Sequence, residues 1–255
     1  MNYLDLFSGI GGFALGARLA GINWDSHYFS EIEPYAIKVY QKNFPQAIGL
    51  GDIKGIDGTE LRNRHKGDWI ITGGFPCQDI SVAGKHKGIS GSRSNLWFEM
   101  LRLIDEIRPA YIIAENVSAI RSKGLERVLL SLAKIGYDAE WNSIRASQVN
   151  APHRRERIWI VAYPNGNGFR SIDQLPTQER DLGKGGQADN PTYGNLSWAN
   201  WQAIKAEAKA NPESFICRMD DGIPNKVDRI RGLGNAIVPQ IAAMIFNRIR
   251  GALAE

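Results

Sequence analysis

The stretch DLFSGIGGF, residues 5–13, joins a short apolar run to a helical one through a loop with three glycines. The run YLDLF (3–7) predicts a short buried strand, and FALGARLAG (13–21) has the apolar spacing of a helix that ends at a glycine. Glycines between a strand and a helix allow the backbone to approach a ligand closely, because they carry no side chain. The stretch therefore predicts the first strand–loop–helix unit of an α/β sheet, with a ligand at the loop.

The same alternation of apolar strands and amphipathic helices continues along most of the chain. Further strands are predicted at 27–31, 68–74, 110–116 and 157–163, and helices at 34–44, 95–107 and 125–136. DAEWNSIRA, residues 138–146, predicts a strand that pairs with 157–163 as in a hairpin. Strand–helix repetition of this kind predicts a mostly parallel sheet with helices on both faces, whose ligands bind at the carboxyl edge.

After residue 163 the texture of the sequence changes. Residues 164–217 are rich in Gly, Asn, Pro and Gln with little periodicity, which predicts a long functional loop or a small irregular region, although 197–211 has helical spacing. The closing GNAIVPQIAAMIFNRIRGALAE places its apolar residues on one helical stripe, which predicts a helix packed in the core. We therefore expect one main domain, 1–163 with 218–255, and a small irregular region, 164–217.

Composition bounds the class of protein. With 255 residues, 43% hydrophobic and 23% charged, the chain resembles an ordinary globular protein. The start MNYLDLFSG has no signal-peptide pattern, and no window approaches the ~18 apolar residues of a membrane span. The two cysteines, Cys77 and Cys217, give no disulfide framework, so we expect a reducing cytoplasm. A net charge of +4 permits a nucleic-acid partner without indicating one.

Two acidic residues follow predicted strands near the glycine loop. Glu31 lies 22 residues beyond Gly9 at the end of the second strand, and Asp52 follows in LGDI. Carboxylates at these places accept hydrogen bonds from the ribose of an adenosine cofactor, although solvated strand-end acids would look the same. The glycine order G-x-G-G departs from the dinucleotide pattern. The acidic rim suits the positive sulfonium of S-adenosylmethionine better than the phosphates of NAD, which stays an alternative.

Cys77 stands in GGFPCQDIS, residues 73–81, directly after an apolar run and a proline. A cysteine thiolate at the end of a strand can serve as a nucleophile, but a single cysteine is more often a small buried apolar residue. The residue by itself leaves both interpretations open.

Seven pieces in one chain carry a more specific signal. In order they are DLFSGIGGF, EIEPYA, GDI, GGFPCQDIS, ENV, RRERIWIVA and GNAIVP. With FPCQ followed by ENV, the chain strongly resembles the DNA cytosine-5 methyltransferase family from the first of these pieces to the last. The resemblance implies a methyltransferase-type, Rossmann-like catalytic domain, 1–163 with 218–255, and a reduced target-recognition region, 164–217.

The resemblance implies that the chain transfers a methyl group from S-adenosylmethionine to carbon 5 of cytosine in double-stranded DNA, leaving S-adenosylhomocysteine. Cys77 is then the thiolate that adds to carbon 6 of a flipped-out base. Glu115, in ENV, would donate to ring nitrogen 3, and its place at the end of an apolar strand predicts a raised pKa. Arg155 and Arg157 match the family's Q-x-R-x-R motif, in which His153 replaces the glutamine. No metal is implied.

The resemblance also implies binding residues. Positions that match cofactor-facing residues of the family are Phe7, Gly9, Gly11, Gly12, Glu31, Ile32, Asp52, Ile53, Phe75, Leu96, Asn235 and Ala236. The last two imply that the C-terminal helix folds back beside the first strand. In the glycine-rich, basic loop after Cys77, the expected DNA-binding residues are Gln78, Ser81, Lys85, Lys87 and Arg93.

Three alternatives stay open. The same cysteine chemistry acts on RNA in an RNA-directed version of the enzyme. A catalytically inactive methyltransferase fold that binds nucleic acid is a second alternative, which the intact Cys77, Glu115 and Arg157 disfavour. An NAD-linked oxidoreductase would use the glycine loop but leaves FPCQ and ENV unexplained. The resemblance implies a bacterial or phage-encoded cytoplasmic protein, and it permits a cognate restriction endonuclease as a further partner.

Overall fold

The structure is a computed structural model that describes residues 1–76, 96–149, 151, 154–166 and 236–253. All of these residues belong to one compact unit, which comprises Met1–Glu179 and Ala236–Glu255. Nearly all of the expected target-recognition region, 164–217, lies outside the described residues, as does the helix predicted at 197–211. Within the described ranges, no helix is both long enough and apolar enough to cross a membrane.

Seven strands form one sheet. They are β1 (Asn2–Leu6), β2 (Ser26–Ser30), β3 (Ile48–Gly49), β4 (Trp69–Gly73), β5 (Tyr111–Val117), β6 (Tyr137–Arg145) and β7 (Glu156–Pro164). Their order is β3-β2-β1-β4-β5-β7-β6, and every neighbouring pair from β3 to β5 is parallel. Strand β7 runs antiparallel to both β5 and β6. The predicted mostly parallel sheet is confirmed, and so is the predicted pairing of the last two strands.

Seven helices accompany the sheet in the described residues. They are α1 (Gly12–Leu19), α2 (Pro34–Asn43), α3 (Gly58–Arg64), α4 (Leu96–Ile107), α5 (Ile120–Lys123), α6 (Leu125–Lys134) and α7 (Pro239–Leu253). One core cluster packs residues of α4 and α6 against one face of the sheet, for example Met100 and Leu132 against Ile71. A second cluster packs α1 and α7 against the other face. The prediction of helices on both faces is confirmed.

The chain order of the strands reverses direction between β1 and β4. From β1 the chain builds outward to β3, and it then returns to place β4 on the other side of β1. At such a reversal, the loops that leave the carboxyl ends of the two central strands diverge and open a crevice for a ligand. The glycine loop leaves β1 here, and Gly74 leaves β4 at the same edge.

Helix α7 packs closely on α1, the helix that follows β1. A Cβ added to Gly16 would stand 2.5 Å from the Cβ of Ala242, and one added to Gly12 would stand 2.7 Å from the Cβ of Ile237. Helix α7 therefore approaches α1 at Gly16, and Ile237, two residues before α7, approaches it at Gly12, at positions where only glycine fits. This contact confirms that the C-terminal helix folds back onto the first strand–helix unit.

We predict that Gly16→Ala lowers the free energy of unfolding by about 1–2 kcal/mol, because the overpacked contact outweighs the gain in helix propensity. Gly251→Ala, in α7, is the matched control, since a Cβ there meets nothing within 4 Å. The control is expected to raise the free energy of unfolding by up to about 1 kcal/mol. Urea denaturation of both variants measures the two effects. A stabilising Gly16→Ala would contradict the close packing of α1 and α7.

Candidate active site

Strand β5 brings Glu115 and Asn116 to the carboxyl edge of the sheet. Successive side chains of a strand face opposite sides. The next-but-one neighbour of Glu115, Ile113, packs in the cluster with α1 and α7, whereas Ala114 packs in the cluster with α4 and α6. Glu115 therefore lies on the side of the glycine loop's helix, and Asn116 lies on the other side.

Asn116 fixes the backbone that leads to Cys77. The buried amide of Asn116 donates from Nδ2 to the carbonyl oxygen of Phe75 at 2.7 Å. Its Oδ1 accepts from the backbone N–H of Val117 at 2.9 Å. Both polar atoms of the amide are thus used, and the chain two residues before Cys77 is tied to β5. Asn116 therefore fixes the segment that leads to Cys77.

Glu115 forms an ion pair with an arginine of the neighbouring strand. Arg157 lies opposite Val117 in the antiparallel β5–β7 ladder, diagonal to Glu115. Its Nε donates to Oε1 of Glu115 at 2.9 Å, and its Nη1 donates to the carbonyl oxygen of Glu156 at 2.9 Å. A Cβ on Gly74 would stand 3.4 Å from the other carboxyl oxygen. The carboxyl group therefore lies between β7 and the end of β4, which leads to Cys77.

Burial dominates the electrostatics of Glu115. Only 9% of this residue is exposed, and burial disfavours the charged carboxylate. Arg157 and Arg155 act in the opposite direction, but the net result is that burial raises the pKa of Glu115 to about 7. The raised pKa expected from the sequence is thus present in the structure. At neutral pH this carboxyl group exists in both forms and is able to donate a proton.

Arg155 connects the ion pair to the C-terminal segment. Its Nη2 donates to the carbonyl oxygen of Ala236 at 2.7 Å, and partial burial lowers the pKa of its guanidinium. Its backbone has a φ of 28°, a left-handed conformation that is rare for a residue with a side chain. The structure thus brings together Glu115, Arg155 and Arg157, three of the four predicted catalytic residues.

Glu31 closes the glycine loop from the side of β2. Its Oε2 accepts from the backbone N–H of Gly9 at 2.8 Å. Its Oε1 accepts from the N–H groups of Ile32 at 2.8 Å and Glu33 at 2.9 Å. A carboxylate offers about four acceptor sites, of which the described residues use three, and the fourth suits a ligand donor. Glu31 therefore shapes the loop as well as facing it.

The three loop glycines have different roles. Gly9 has a φ of 52°, and a Cβ there would meet no atom of the described residues within 4 Å, so none of these residues fills the space beside its backbone. A Cβ on Gly11 would stand 2.8 Å from the ring of Phe44, and Gly12 contacts Ile237. Packing against protein explains the absence of a side chain at Gly11 and Gly12, whereas Gly9 alone borders space that a ligand can fill.

The remaining predicted cofactor residues divide by exposure. Ile32 is 70% exposed, which is unusual for a large apolar side chain. Asp52 is exposed, and its Oδ1 accepts from the N–H of Lys54 at 3.1 Å. The side chains of Ile53 and Phe75 are instead packed in the core cluster with α4. Phe7 and Leu96 are partly buried against the same cluster.

Several predicted residues lie outside the described part of the chain. They are Cys77, Gln78, Ser81, Lys85, Lys87, Arg93 and Asn235, together with His153 of the arginine motif. The roles expected for them remain predictions.

Two polar residues beside the loop were not predicted from the sequence. The hydroxyl of Ser8 is buried and has no hydrogen-bond partner among the described residues. Asp5 is fully buried and accepts from Thr72 at 2.8 Å and from Tyr40 at 3.0 Å. Burial raises the pKa of Asp5 to about 7. The position of Ser8 inside the glycine loop was a usable signal, whereas Asp5 was hidden in an apolar strand.

A family model for the C-5 cytosine-specific DNA methylases matches residues 1–200. The chain belongs to this family. The resemblance inferred from the seven sequence pieces is therefore confirmed.

Individual relatives agree with this membership. The chain is 34% identical over 223 residues to the type II methyltransferase M1.ScrFI of Lactococcus lactis subsp. cremoris, and the match covers 83% of this chain and 56% of that protein. It is 31% identical over 219 residues to M.NlaX of Neisseria lactamica, covering 83% and 69%. The chain thus spans about half to two thirds of the length of these curated relatives. The crystal structure of Schizosaccharomyces pombe Dnmt2 has the same fold, with a TM-score of 0.67 at 18% identity over 98% of this chain and 99% of that one.

We predict that Glu115 makes the methylase less stable as the pH rises through 7. The pKa of Glu115 is raised from 4.5 to about 7 by burial, so the folded chain binds this proton more tightly than the unfolded chain. The stability that this proton contributes is complete below pH 4.5, the pKa of the unfolded chain, and is lost as the pH rises through about 7, the pKa in the folded chain. Between pH 5 and 8 the free energy of unfolding should fall less in Glu115→Gln than in wild type, by up to about 3 kcal/mol.

Urea denaturation at several pH values makes this comparison. Asp5 acts in the same direction as Glu115, so the difference between wild type and variant isolates Glu115. Glu156→Gln is the control. A hydrogen bond from Ser143 lowers the pKa of Glu156, so its contribution is lost in acid rather than near neutrality. Equal pH profiles for wild type and Glu115→Gln would show that Glu115 is not perturbed.

Proposed function

We propose that this methylase transfers a methyl group from S-adenosylmethionine to carbon 5 of cytosine in double-stranded DNA, through a covalent bond between Cys77 and a flipped-out base. The observation that carries the proposal is the buried carboxyl of Glu115, whose pKa is raised to about 7 by burial. This carboxyl group lies beside Gly74, which follows β4 and precedes Cys77 by three residues. Arg157 holds it there through an ion pair. A proton donor of this kind suits a pyrimidine nitrogen that gains charge during reaction.

The residues around the glycine loop fit an adenosine cofactor. The space at Gly9 admits a ligand close to the backbone, and the hydroxyl of Ser8, which has no hydrogen-bond partner among the described residues, supplies a polar group. Glu31 retains an acceptor site for a ribose hydroxyl, and the exposed Ile32 offers an apolar surface to an adenine ring. We propose that these residues and Asp52 hold S-adenosylmethionine, with Phe7, Leu96, Asn235 and Ala236 bordering it.

The cofactor supplies an electrophilic methyl group bound to a positively charged sulfur. The thiolate of Cys77 adds to carbon 6 of cytosine, and the electron pair of the ring double bond moves toward carbon 5. Glu115 donates its proton or a hydrogen bond to nitrogen 3, which stabilises the added negative charge. Carbon 5 would then bond to the methyl group as the bond between that methyl group and the cofactor sulfur breaks, which leaves S-adenosylhomocysteine, and carbon 5 would afterwards lose its proton to solvent. The bond between Cys77 and carbon 6 breaks, and the thiolate is restored.

The two arginines keep Glu115 ready for this role. Arg157 contacts one oxygen of the carboxyl and leaves the other on the side of Gly74. Arg155 lies within electrostatic reach of Glu115 but donates its hydrogen bond to Ala236. Both positive groups limit the rise in the pKa of Glu115, so the carboxyl is protonated for part of the time at neutral pH rather than permanently.

A DNA substrate requires the base to leave the helix, because a duplex hides carbon 6 of cytosine. We propose that 164–217 serves as the target-recognition region and that Gln78, Ser81, Lys85, Lys87 and Arg93 contact the DNA beside the base. The reaction is proposed to take place in the cytoplasm of a bacterium or phage-infected cell. A cognate restriction endonuclease is the further partner that this proposal permits.

We predict that Cys77→Ser abolishes methyl transfer and leaves S-adenosylmethionine affinity within about twofold of wild type, because an alkoxide forms far less readily than a thiolate. With S-adenosylmethionine present, a duplex pool of mixed sequence containing 5-fluorocytosine should trap the wild-type chain covalently, because after methyl transfer the fluorine cannot leave carbon 5 as a proton does. The adduct is detected as a slower band on a denaturing gel. Cys217→Ser, which changes the second cysteine, is the control and should still form the adduct.

The same gel tests the alternatives. Wild type is incubated in parallel with 5-fluorocytosine RNA, and an adduct with RNA alone would replace the DNA assignment by an RNA one. Binding of S-adenosylmethionine without an adduct on either substrate would support an inactive methyltransferase fold. An adduct that persists in Cys77→Ser would exclude Cys77 as the nucleophile.

We predict that Asn116→Asp slows adduct formation at least about tenfold. The change replaces the donor to Phe75 by an oxygen that repels the carbonyl, so the backbone before Cys77 loses its fixed position. Affinity for S-adenosylmethionine should stay close to wild type. Asn142→Asp, on the edge strand β6, is the matched control and should leave the adduct rate unchanged. An unchanged rate in Asn116→Asp would mean that this hydrogen bond does not position the nucleophile.

A further inference from the structure

Arg102 stands in the middle of helix α4 with 34% of its side chain exposed. Two acids of the same helix flank it. Its Nε donates to Glu99 at 3.0 Å, and its Nη1 donates to both carboxyl oxygens of Glu106 at 2.9 and 3.0 Å. These two pairs hold the planar guanidinium in one orientation, since a fork-shaped donor that is bound on two sides has little freedom to rotate.

The oriented guanidinium also binds a different element. Its Nη1 donates to the carbonyl oxygen of Ile56 at 3.0 Å, and its Nη2 donates to the carbonyl oxygen of Ile53 at 3.2 Å. Both carbonyls belong to the segment that follows β3, where a short 3-10 turn spans Ile53–Gly55. Arg102 therefore bridges α4 to the two ends of this turn.

Glu106 extends the same connection by one step. Its Oε2 accepts from the backbone N–H of Gly58 at 2.8 Å, at the first residue of α3. A Cβ on Gly58 would stand 2.7 Å from that oxygen, so the approach requires glycine. The pair of Arg102 and Glu106 thus contacts the backbone at three places between residues 53 and 58.

The connected elements both carry residues of the proposed cofactor site. Asp52 immediately precedes the 3-10 turn and caps it with its own side chain. Leu96 is the first residue of α4. A hydrogen bond from Arg102 to a backbone carbonyl does not touch the cofactor, but it fixes where the turn, and hence Asp52, lies relative to α4.

We propose that Arg102 is a positioning residue for the cofactor site: with Glu106, it holds the turn from Asp52 to Gly58 against α4 and so aligns the groups that bind the adenosine of S-adenosylmethionine. This inference rests on the proposed function. Charge-assisted hydrogen bonds to backbone carbonyls are stronger than neutral ones, so their loss is measurable. Lysine keeps the charge but cannot reach both carbonyls and both acids at once.

The same helix supplies a matched comparison. Arg108, just after the end of α4, donates to the carbonyl oxygen of Ile135 at 2.6 Å and to Asp105 at 3.1 Å. Its guanidinium also lies 5.0 Å from the ring centroid of Tyr137. Arg108 is thus tied to backbone as Arg102 is, but it lies at the amino ends of β5 and β6, the opposite edge of the sheet from the proposed cofactor site.

The experiment measures binding of S-adenosylmethionine by titration calorimetry, together with thermal unfolding, for wild type, Arg102→Met, Arg102→Lys and Arg108→Met. We expect Arg102→Met to weaken binding about tenfold or more, and Arg102→Lys to weaken it by a smaller factor. Arg108→Met should unfold at a lower temperature than wild type yet bind within about twofold of it. In steady-state assays, Arg102→Met should raise KM for the cofactor and leave kcat at saturation nearly unchanged.

The outcomes separate the two proposals. A wild-type chain that does not bind S-adenosylmethionine overturns the proposed function and this inference with it. A wild-type chain that binds, with Arg102→Met binding equally well, overturns only the positioning role. Equal losses of affinity in Arg102→Met and Arg108→Met would also overturn it, because they would indicate general loosening of α4. If Arg102→Met does not fold, the comparison of Arg102→Lys with Arg108→Met decides by the same criteria.

Discussion

The ion pair between Glu115 and Arg157 is the interaction around which the site is built. Its two members come from neighbouring strands that run in opposite directions, and they meet only because β7 is inserted antiparallel between β5 and β6. If burial acted alone, Glu115 would be a neutral acid; if the arginines acted alone, it would be a permanent carboxylate. Their opposition leaves a carboxyl group with a pKa of about 7, which holds its proton for part of the time near neutral pH.

A second buried acid, Asp5 of β1, lies just before the glycine loop and fixes the end of its strand. Asp5 receives hydrogen bonds from Thr72 of β4 and from Tyr40 of α2, and the hydroxyl of Tyr3 reaches Thr72 at 2.8 Å. Each oxygen of Asp5 has a partner, as a buried polar group requires. The network joins β1, β4 and α2 just below the point where the chain turns into the loop. The strand end from which the glycine loop starts is thus fixed by a connected set of hydrogen bonds, and Glu31 fixes the loop itself from the side of β2.

The sequence predicted the long helices and strands because their apolar periodicity is strong. It missed the short elements that are stabilised only by contacts with neighbouring elements. Strand β3 has only two residues, Ile48 and Gly49, which is too short for any periodicity. Helix α3 begins at an Asp57 cap but has no continuous apolar stripe, since only Gly58 and Leu61 are buried. Local pattern does not reveal elements that depend on their neighbours for stability.

The candidate site shows the same division at the level of residues. ENV and the paired arginines were found because their order along the chain is specific. The distinct roles of the loop glycines were not found from the sequence. Gly9 and Gly11 both have positive φ, but only Gly11 packs against Phe44, and this difference depends on the fold. Arg102 gave no signal, because one arginine in an amphipathic helix looks like a solvated residue. These residues differ in the groups that they contact. Those groups lie far away in the sequence, and only folding brings them near.

The return of the C-terminal segment explains why a helix distant in sequence belongs to this site. Ala236 accepts the hydrogen bond of Arg155, and the next residue, Ile237, contacts Gly12 and lies 3.5 Å from a Cβ on Gly74. Two consecutive residues thus touch the glycine loop's helix, the strand end before Cys77, and an arginine beside Glu115. Helix α7 anchors them by packing on α1 where only glycine fits. The glycine loop and the surroundings of Glu115 are therefore joined through one short segment, and close packing of α7 on α1 keeps that segment in place.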